Sequence, residues 1–304
     1  MKKTIILLTI LLCVVMFSTC TVDDPLTGKS TLAIIDNVAL FKMAFDQYDE
    51  VLNESKVIST TDSDPIKAGQ AQMVERLGVK IKTAAEKWYE SITGDPDYLY
   101  KQGYRWDYKL VEDKQVNAWC MPGGKIVVYT GILPVTGNED ALAVVMGHEV
   151  SHALLNHGQQ RVSTSLLMQA GLTVASLGAA LSGAYENTQK LFLGALGLGA
   201  NLGVALPFSR DNESEADHYG LILMAIAGYN PDAALPFWEK MERLGKTDPL
   251  FKDVLSTHPS SDKRASAMGK LAPEAKKRAA KLRIDDLKAS IPQAKRIAAE
   301  INGE

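Results

Sequence analysis

Apolar residues recur at three- and four-residue spacing over two long stretches, roughly Ile34–Ser55 and Ile66–Ser91, and predict two amphipathic helices. A turn at 93–98 (TGDPDY) follows, and then the period changes. Trp106, Tyr108 and Leu110 alternate with Arg105, Asp107 and Lys109, as on a half-buried strand. After a polar turn at Glu112–Lys114, Val116–Cys120 reads as a second strand, and the turn Met121-Pro-Gly-Gly124 leads into a third, Lys125–Thr130. Asn138 then predicts an N-cap, with Glu139 and Asp140 in the first turn of a helix expected to reach about Arg161. Short strands set between long helices predict the α+β class: a mainly helical domain with a small antiparallel sheet.

Further along, two Gly- and Ala-rich apolar stretches, Leu166–Leu181 and Leu191–Leu206, flank the polar segment Tyr185–Lys190. Each is shorter than the ~20 residues of a spanning helix. They read as a packed helical hairpin, with contact to a membrane surface as the other reading. A helix begins near Asp211, and the charged tail from Pro273 onward reads as a solvated helix. The N-terminus differs in kind. Lys2 and Lys3 precede the apolar run Ile5–Phe17, which ends at Ser18, Thr19 and Cys20, the pattern of an export signal. The expected organisation is a signal peptide at 1–19, an extended lead-in at 20–32, the main domain at 33–268 and a helical appendage at 269–304.

Composition narrows the function classes. The 304 residues carry a formal net charge of -3, and loss of Lys2 and Lys3 with a leader makes the chain more acidic. Nucleic acid as a partner is excluded, since it would need a basic stripe. An intramolecular disulfide is not expected in the mature chain, because Cys120 would have only Cys20 to pair with.

The informative chemistry begins at His148-Glu-Val-Ser-His152. Four residues advance a helix by about 400°, so both imidazoles share one face and can donate to one Zn²⁺. Glu149 stands about 100° away, placed to take a proton from an attacking water rather than to bind the metal. The surrounding helix is apolar almost all round and should be buried, where unpartnered histidines and an acid would be costly. The alternative is a chance match with satisfied core histidines. A third ligand at the spacing H-E-x-x-H-x-x-G-x-x-H is excluded, because Leu155 and Gly158 stand where Gly and His would be needed. His157 falls about 140° off the zinc face and reads as a capping or supporting residue. Glu213 and Asp217 lie four apart on the next helix and share a face. Glu213 would complete a two-His, one-Glu site, and Asp217 would orient a ligand histidine. Glu215, between them, reads as solvated.

These motifs, with Asp24-Pro-Leu-Thr-Gly28, Asn117-Ala-Trp-Cys-Met-Pro-Gly-Gly-Lys125, Ser209-Arg-Asp-Asn-Glu213 and Ser256-Thr-His-Pro259, make the chain resemble the prenyl-protease/HtpX-like gluzincin endopeptidases. The resemblance is to their exported bacterial lipoprotein branch related to BepA. It implies a zincin-type fold, one Zn²⁺ held by His148, His152 and Glu213, Glu149 as general base, and Asp217 in support. It also implies that His258 stabilises the oxyanion, and that Asn117, Ala118 and Trp119 lie on a sheet edge where an extended peptide adds as a strand. Arg210 would touch substrate or the metal's supporting shell. Cys20 resembles a lipidated lipoprotein cysteine, with a plain cleaved signal as the alternative. The expected partners are protein or peptide substrates and a membrane reached through the lipid. The expected location is the periplasmic face of a bacterial envelope, at the outer membrane. An envelope chaperone or assembly factor with a latent zinc site is the rival reading.

Overall fold

The computed structural model describes residues 21–173, 208–258 and 264–302. The expected leader with Cys20, and most of the stretch 166–206 expected to form a hairpin, lie outside the described residues.

The lead-in is a hairpin. Strands β1 (Thr21–Asp23) and β2 (Ser30–Leu32) pair antiparallel around a turn in which Asp24 Oδ1 accepts from the amides of Leu26 and Thr27, at 2.8 and 2.9 Å. Helix α1 (Asn37–Glu54) follows an Asp36 cap, and strand β3 (Val57–Ile58) precedes α2 (Pro65–Thr93). Helix α2 starts on an Asp64 cap with proline in its first turn and ends at Gly94 in the left-handed region, φ 72°. A short turn, α3 (Tyr98–Lys101), leads to the remaining strands: β4 (Asp107–Val111), β5 (Ala118–Met121) and β6 (Lys125–Tyr129).

The four-stranded sheet runs β3-β4-β6-β5, and its centre departs from the antiparallel expectation. Strands β4 and β6 are parallel, while β3–β4 and β5–β6 are antiparallel. The polar turn after β4 is a crossover rather than a hairpin. Asp113 exchanges hydrogen bonds with Thr130 and accepts from the Gly131 amide at 2.8 Å, so the chain passes over the end of β6. A Cβ on Gly131 would stand 2.3 Å from the carbonyls of Lys114 and Gln115, and only glycine admits that approach. The crossover delivers β5 to the far side of β6 and leaves it at the sheet edge.

After α4 (Leu133–Thr136), helix α5 (Glu139–Leu154) begins on the expected Asn138 cap and is buried from Ala141 to Leu154. It stops seven residues short of Arg161. Asn156 adopts a left-handed φ of 56°, a region asparagine tolerates, and α6 (His157–Thr173) restarts in a new direction. Tyr104 and Tyr89 donate to the carbonyls of Ala153 and Leu154 at 3.0 and 3.3 Å, satisfying the end of α5.

Helix α7 (Arg210–Ile226) crosses α5 where two glycines meet. A Cβ on Gly147 would stand 2.6 Å from the Gly220 carbonyl. Helices α8 (Ala234–Gly245) and α9 (Lys252–Thr257) lead to α10, Arg264–Asn302. Where a solvated tail is expected, α10 packs on α7 and α8, burying Met268, Ala272, Ala275 and Ala279. No helix among the described residues is long and apolar enough to cross a membrane.

Candidate metal centre

The glycine contact between α5 and α7 brings the two acidic-histidine motifs together. His148 and His152 rise from one face of α5, with Nε2 atoms 3.1 Å apart. Glu213 enters from α7, with Oε1 3.4 Å from His152 Nε2 and Oε2 3.7 Å from His148 Nε2. His258, just past α9, adds a fourth group. Its Nδ1 is 3.0 Å from Glu213 Oε1 and 3.2 Å from His148 Nε2. Donor atoms of His148, His152, Glu213 and His258 all lie within 4.8 Å of one another, and all four residues are buried.

The donor chemistry fits a cation. Asp217 Oδ1 is 2.8 Å from His148 Nδ1, and a carboxylate there accepts, so His148 carries its hydrogen on Nδ1 and leaves Nε2 bare. That lone pair faces two more ring nitrogens and a carboxylate. Glu213 Oε2 approaches Arg264 Nη1 at 2.9 Å without the alignment of a hydrogen bond, and finds no hydrogen-bond donor among the described residues. Buried acceptors converging in this way repel one another unless a positive ion stands between them. Zinc takes such a nitrogen and carboxylate set.

Charge around the centre is balanced by a residue the sequence motifs do not mark. Arg264, the first residue of α10, donates from Nε and Nη2 to both oxygens of Asp217, at 2.8 and 2.7 Å. Burial works to raise the Asp217 pKa, but Arg264 and the bond to His148 hold it below the usual carboxylate range. For Glu213, burial is likewise outweighed by His258, His152 and His148, and the carboxyl is held low. Burial drives His152 well below its ordinary pKa against the pull of Glu213, which keeps the ring neutral and able to donate. His258 is raised: burial opposes protonation, yet Glu149 and Glu213 together prevail. A bound dication would work against that rise.

The remaining expected residues are placed as follows. Glu149 is buried beside the donors, with Oε1 3.6 Å from His258 Nε2. Ala118 and Trp119 stand on edge strand β5, and Asn117 immediately precedes it, its carbonyl accepting from the Tyr129 amide at 3.1 Å. With Cys120 they line a cavity that Glu149, His152 and His258 also line. Burial first, and Glu149 second, push the Cys120 thiol well above its ordinary pKa, which suits no nucleophile. Arg210 is exposed at the start of α7, and Arg264 occupies the supporting position considered for it. Glu215 is not simply solvated, since it pairs with Lys29 and with His157 Nε2, the latter at 3.2 Å.

Three further side chains complete the walls. Phe208 stacks on His152, ring centroids 3.8 Å apart, and the Arg161 guanidinium lies over the Phe208 ring, 3.3 Å from its centre. Burial lowers the Arg161 pKa to about 9. Trp238 lies against Arg264, 3.6 Å from ring centre to guanidinium. None of these has a spacing to its neighbours that marks it in the sequence.

Residues 96–272 match Peptidase family M48. The mitochondrial metalloendopeptidase OMA1 of Schizosaccharomyces pombe is 36% identical over 171 residues, covering 56% of this chain and 48% of the relative. The β-barrel assembly-enhancing protease of Yersinia pestis is 31% identical over 169 residues, covering 52% of this chain and 33% of the relative. Metalloprotease YcaL of Escherichia coli is 28% identical over 197 residues, covering 64% and 70%. Mitochondrial and bacterial proteins thus both resemble the chain, which spans about half the length of the OMA1 relatives it matches. The family match takes in more than half of the sequence and all four donors, and the chain belongs to Peptidase family M48, whose members are zinc metallopeptidases.

Proposed function

We propose that the chain is a zinc-dependent endopeptidase that hydrolyses extended segments of envelope proteins, misfolded ones included. The observation that carries this reading is the convergence of His148, His152 and Glu213 beside a buried Glu149, at the open edge of a sheet. His148, His152 and Glu213 would hold the ion. Bound there, zinc supplies Lewis acidity to a water and to the scissile carbonyl. Glu149 accepts the proton of the attacking water and passes it to the leaving amine. His258 offsets negative charge on the tetrahedral oxygen. Edge strand β5 holds the substrate backbone extended, so that its carbonyl faces the centre.

The same geometry supports a preference. A peptide antiparallel to β5 runs from the Met121 end toward Ala118. A second hollow, lined by Ala118, Glu149, Ile132, Val145, Phe237, Trp238 and Met241, adjoins the centre. It receives an apolar side chain just after the cleaved bond.

For location, the export-signal pattern ending at Cys20 supports an envelope protein, lipid-anchored at the periplasmic face of the outer membrane. The Yersinia pestis relative, named for β-barrel assembly, supports the envelope setting, and the OMA1 relatives, named as mitochondrial, raise the alternative of an organelle.

The test is digestion of unfolded casein by the purified chain, with and without chelator, alongside Glu149→Gln. Chelator-sensitive cleavage with apolar residues at the new N-termini is expected. Glu149→Gln should retain zinc and lose on the order of 10²–10⁴-fold in rate. Undiminished cleavage in that variant, or in the chelated protein, would overturn the reading.

A further inference from the structure

A line of polar contacts leaves the centre through His152 and ends on the N-terminal hairpin. His152 Nδ1 lies 2.9 Å from Nδ1 of His157. His157 is fully buried, and its Nε2 lies 3.2 Å from Glu215 Oε2. Glu215 in turn pairs with Lys29, in the turn between β1 and β2. The break at Asn156 makes this possible, because it swings His157 back toward the ring from which a continuous helix would have carried it away.

Hydrogens along this line can be assigned from the groups themselves. The Glu215 carboxylate only accepts, so His157 bears its hydrogen on Nε2. A neutral His157 then has a bare Nδ1, which accepts from Nδ1–H of His152. His152 is left with a bare Nε2, on the side facing Glu213 and His148. Reversing the middle bond would put a hydrogen on His152 Nε2 and remove it as a donor. We propose that His157 is a positioning residue, which with Glu215 and Lys29 fixes the tautomer and orientation of His152, making the N-terminal hairpin a working part of the metal centre. Asp217 does the same for His148 from the opposite side, so each ligand imidazole is oriented by its own acceptor. The bland account is that His157 is a core histidine satisfied by Glu215. It leaves unexplained why a ring nitrogen, rather than an apolar atom, is set 2.9 Å from the ligand ring.

The inference rests on the centre's being a metal site but not on hydrolysis, so metal affinity measured by competition with a chromogenic chelator tests it separately from the protease reading. Asparagine places a carbonyl oxygen near the position of the Nδ1 atom, and phenylalanine places none. His157→Phe should weaken zinc binding on the order of 10–100-fold, and Glu215→Ala by a smaller factor in the same direction. His157→Asn should remain within a few-fold of the parent. In cobalt-substituted protein, the visible absorption bands should shift for His157→Phe and keep their position for His157→Asn. Zinc affinity and cobalt spectrum unchanged in a folded His157→Phe protein would overturn the proposal. Equal losses in the Phe and Asn variants, tracking a loss of metal-free stability, would overturn it too, by assigning His157 to the core. Should His157→Phe fail to fold, Glu215→Ala carries the same comparison from a partly exposed position, and parental affinity there would count against the proposal.

Discussion

Removing the guanidinium of Arg264 leaves the buried Asp217 without its paired cation and takes a nearby positive charge away from Glu213, which keeps His258. In metal-free protein, Arg264→Leu should therefore cost about 3–5 kcal/mol, the scale for breaking a buried ion pair from one side. Urea denaturation in chelator measures this, and an unmoved midpoint would show that Asp217 has another partner. The histidines set a pH dependence in the same metal-free state. Burial holds His152 and His157 below their ordinary pKa, against the opposing pull of Glu213 and Glu215. Below pH ~6.5 the unfolded chain takes up protons that these two refuse when folded, so stability drops as pH drops, by up to about 1.4 kcal/mol per unit for each. His258, facing Glu149 and Glu213, is raised; its contribution is full below its unfolded pKa and lost as pH rises through the folded one. Burial lowers His218 as well, so with three histidines lowered against one raised, the chelated protein should weaken between about pH 7 and pH 5, and a midpoint rising over that interval would contradict the assignment. Helical spacing makes the pairing of His148 with His152 and of Glu213 with Asp217 legible, because a four-residue step puts two side chains on one face of any helix. Arg264 is not legible, since it stands before the charged tail at a spacing to which no motif gives a role. His157 is misplaced by the same arithmetic that places His152, because that arithmetic assumes an unbroken helix.

At the scale of elements, the centre depends on how closely α5 and α7 approach. Gly147 immediately precedes His148, and Gly220 lies one turn beyond Asp217. A Cβ on Gly147 would stand 2.6 Å from the Gly220 carbonyl, and a Cβ on Gly220 2.8 Å from the His148 amide. The atoms in the way are backbone, which cannot rotate aside. Gly147→Ala or Gly220→Ala should move the helices apart, destabilise by about 1–3 kcal/mol as overpacking does, and draw Glu213 and Asp217 away from the imidazoles. Zinc affinity should fall at least tenfold, and a parental value in either variant would show that the helices accommodate the methyl without separating. The helices themselves are legible from periodicity and caps, to within a few residues at Asn37–Glu54 and Pro65–Thr93. The sheet is less so. Alternation identifies β4, β5 and β6, but nothing in it distinguishes a hairpin at Glu112–Lys114 from a crossover over Gly131. Register across the sheet is a long-range property, decided by the close approach at that glycine.

At the scale of the whole molecule, the donors arrive from separate parts of the chain: α5 supplies two, α7 one, and the segment after α9 another, with Arg264 closing the set from α10. An unfolded chain holds these groups far apart and cannot reproduce their geometry. Metal binding is therefore coupled to folding, since zinc binds the native state and adds its binding energy to native stability. At a thousandfold excess of free zinc over the dissociation constant this amounts to about 4 kcal/mol. For a domain of this size each kcal/mol moves the melting midpoint by about 2–4 °C, so chelation should lower it by roughly 10 °C. Scanning calorimetry with and without chelator reads the difference. Glu213→Ala removes a donor, and should melt near the chelated parent whether or not zinc is added. That comparison separates ion bound at the centre from ion bound elsewhere, because only the former loses its effect when one carboxylate is removed. A chelator-induced shift persisting at full size in Glu213→Ala would place the stabilising metal somewhere other than between the two imidazoles, and would remove the physical basis for assigning catalysis to that cluster.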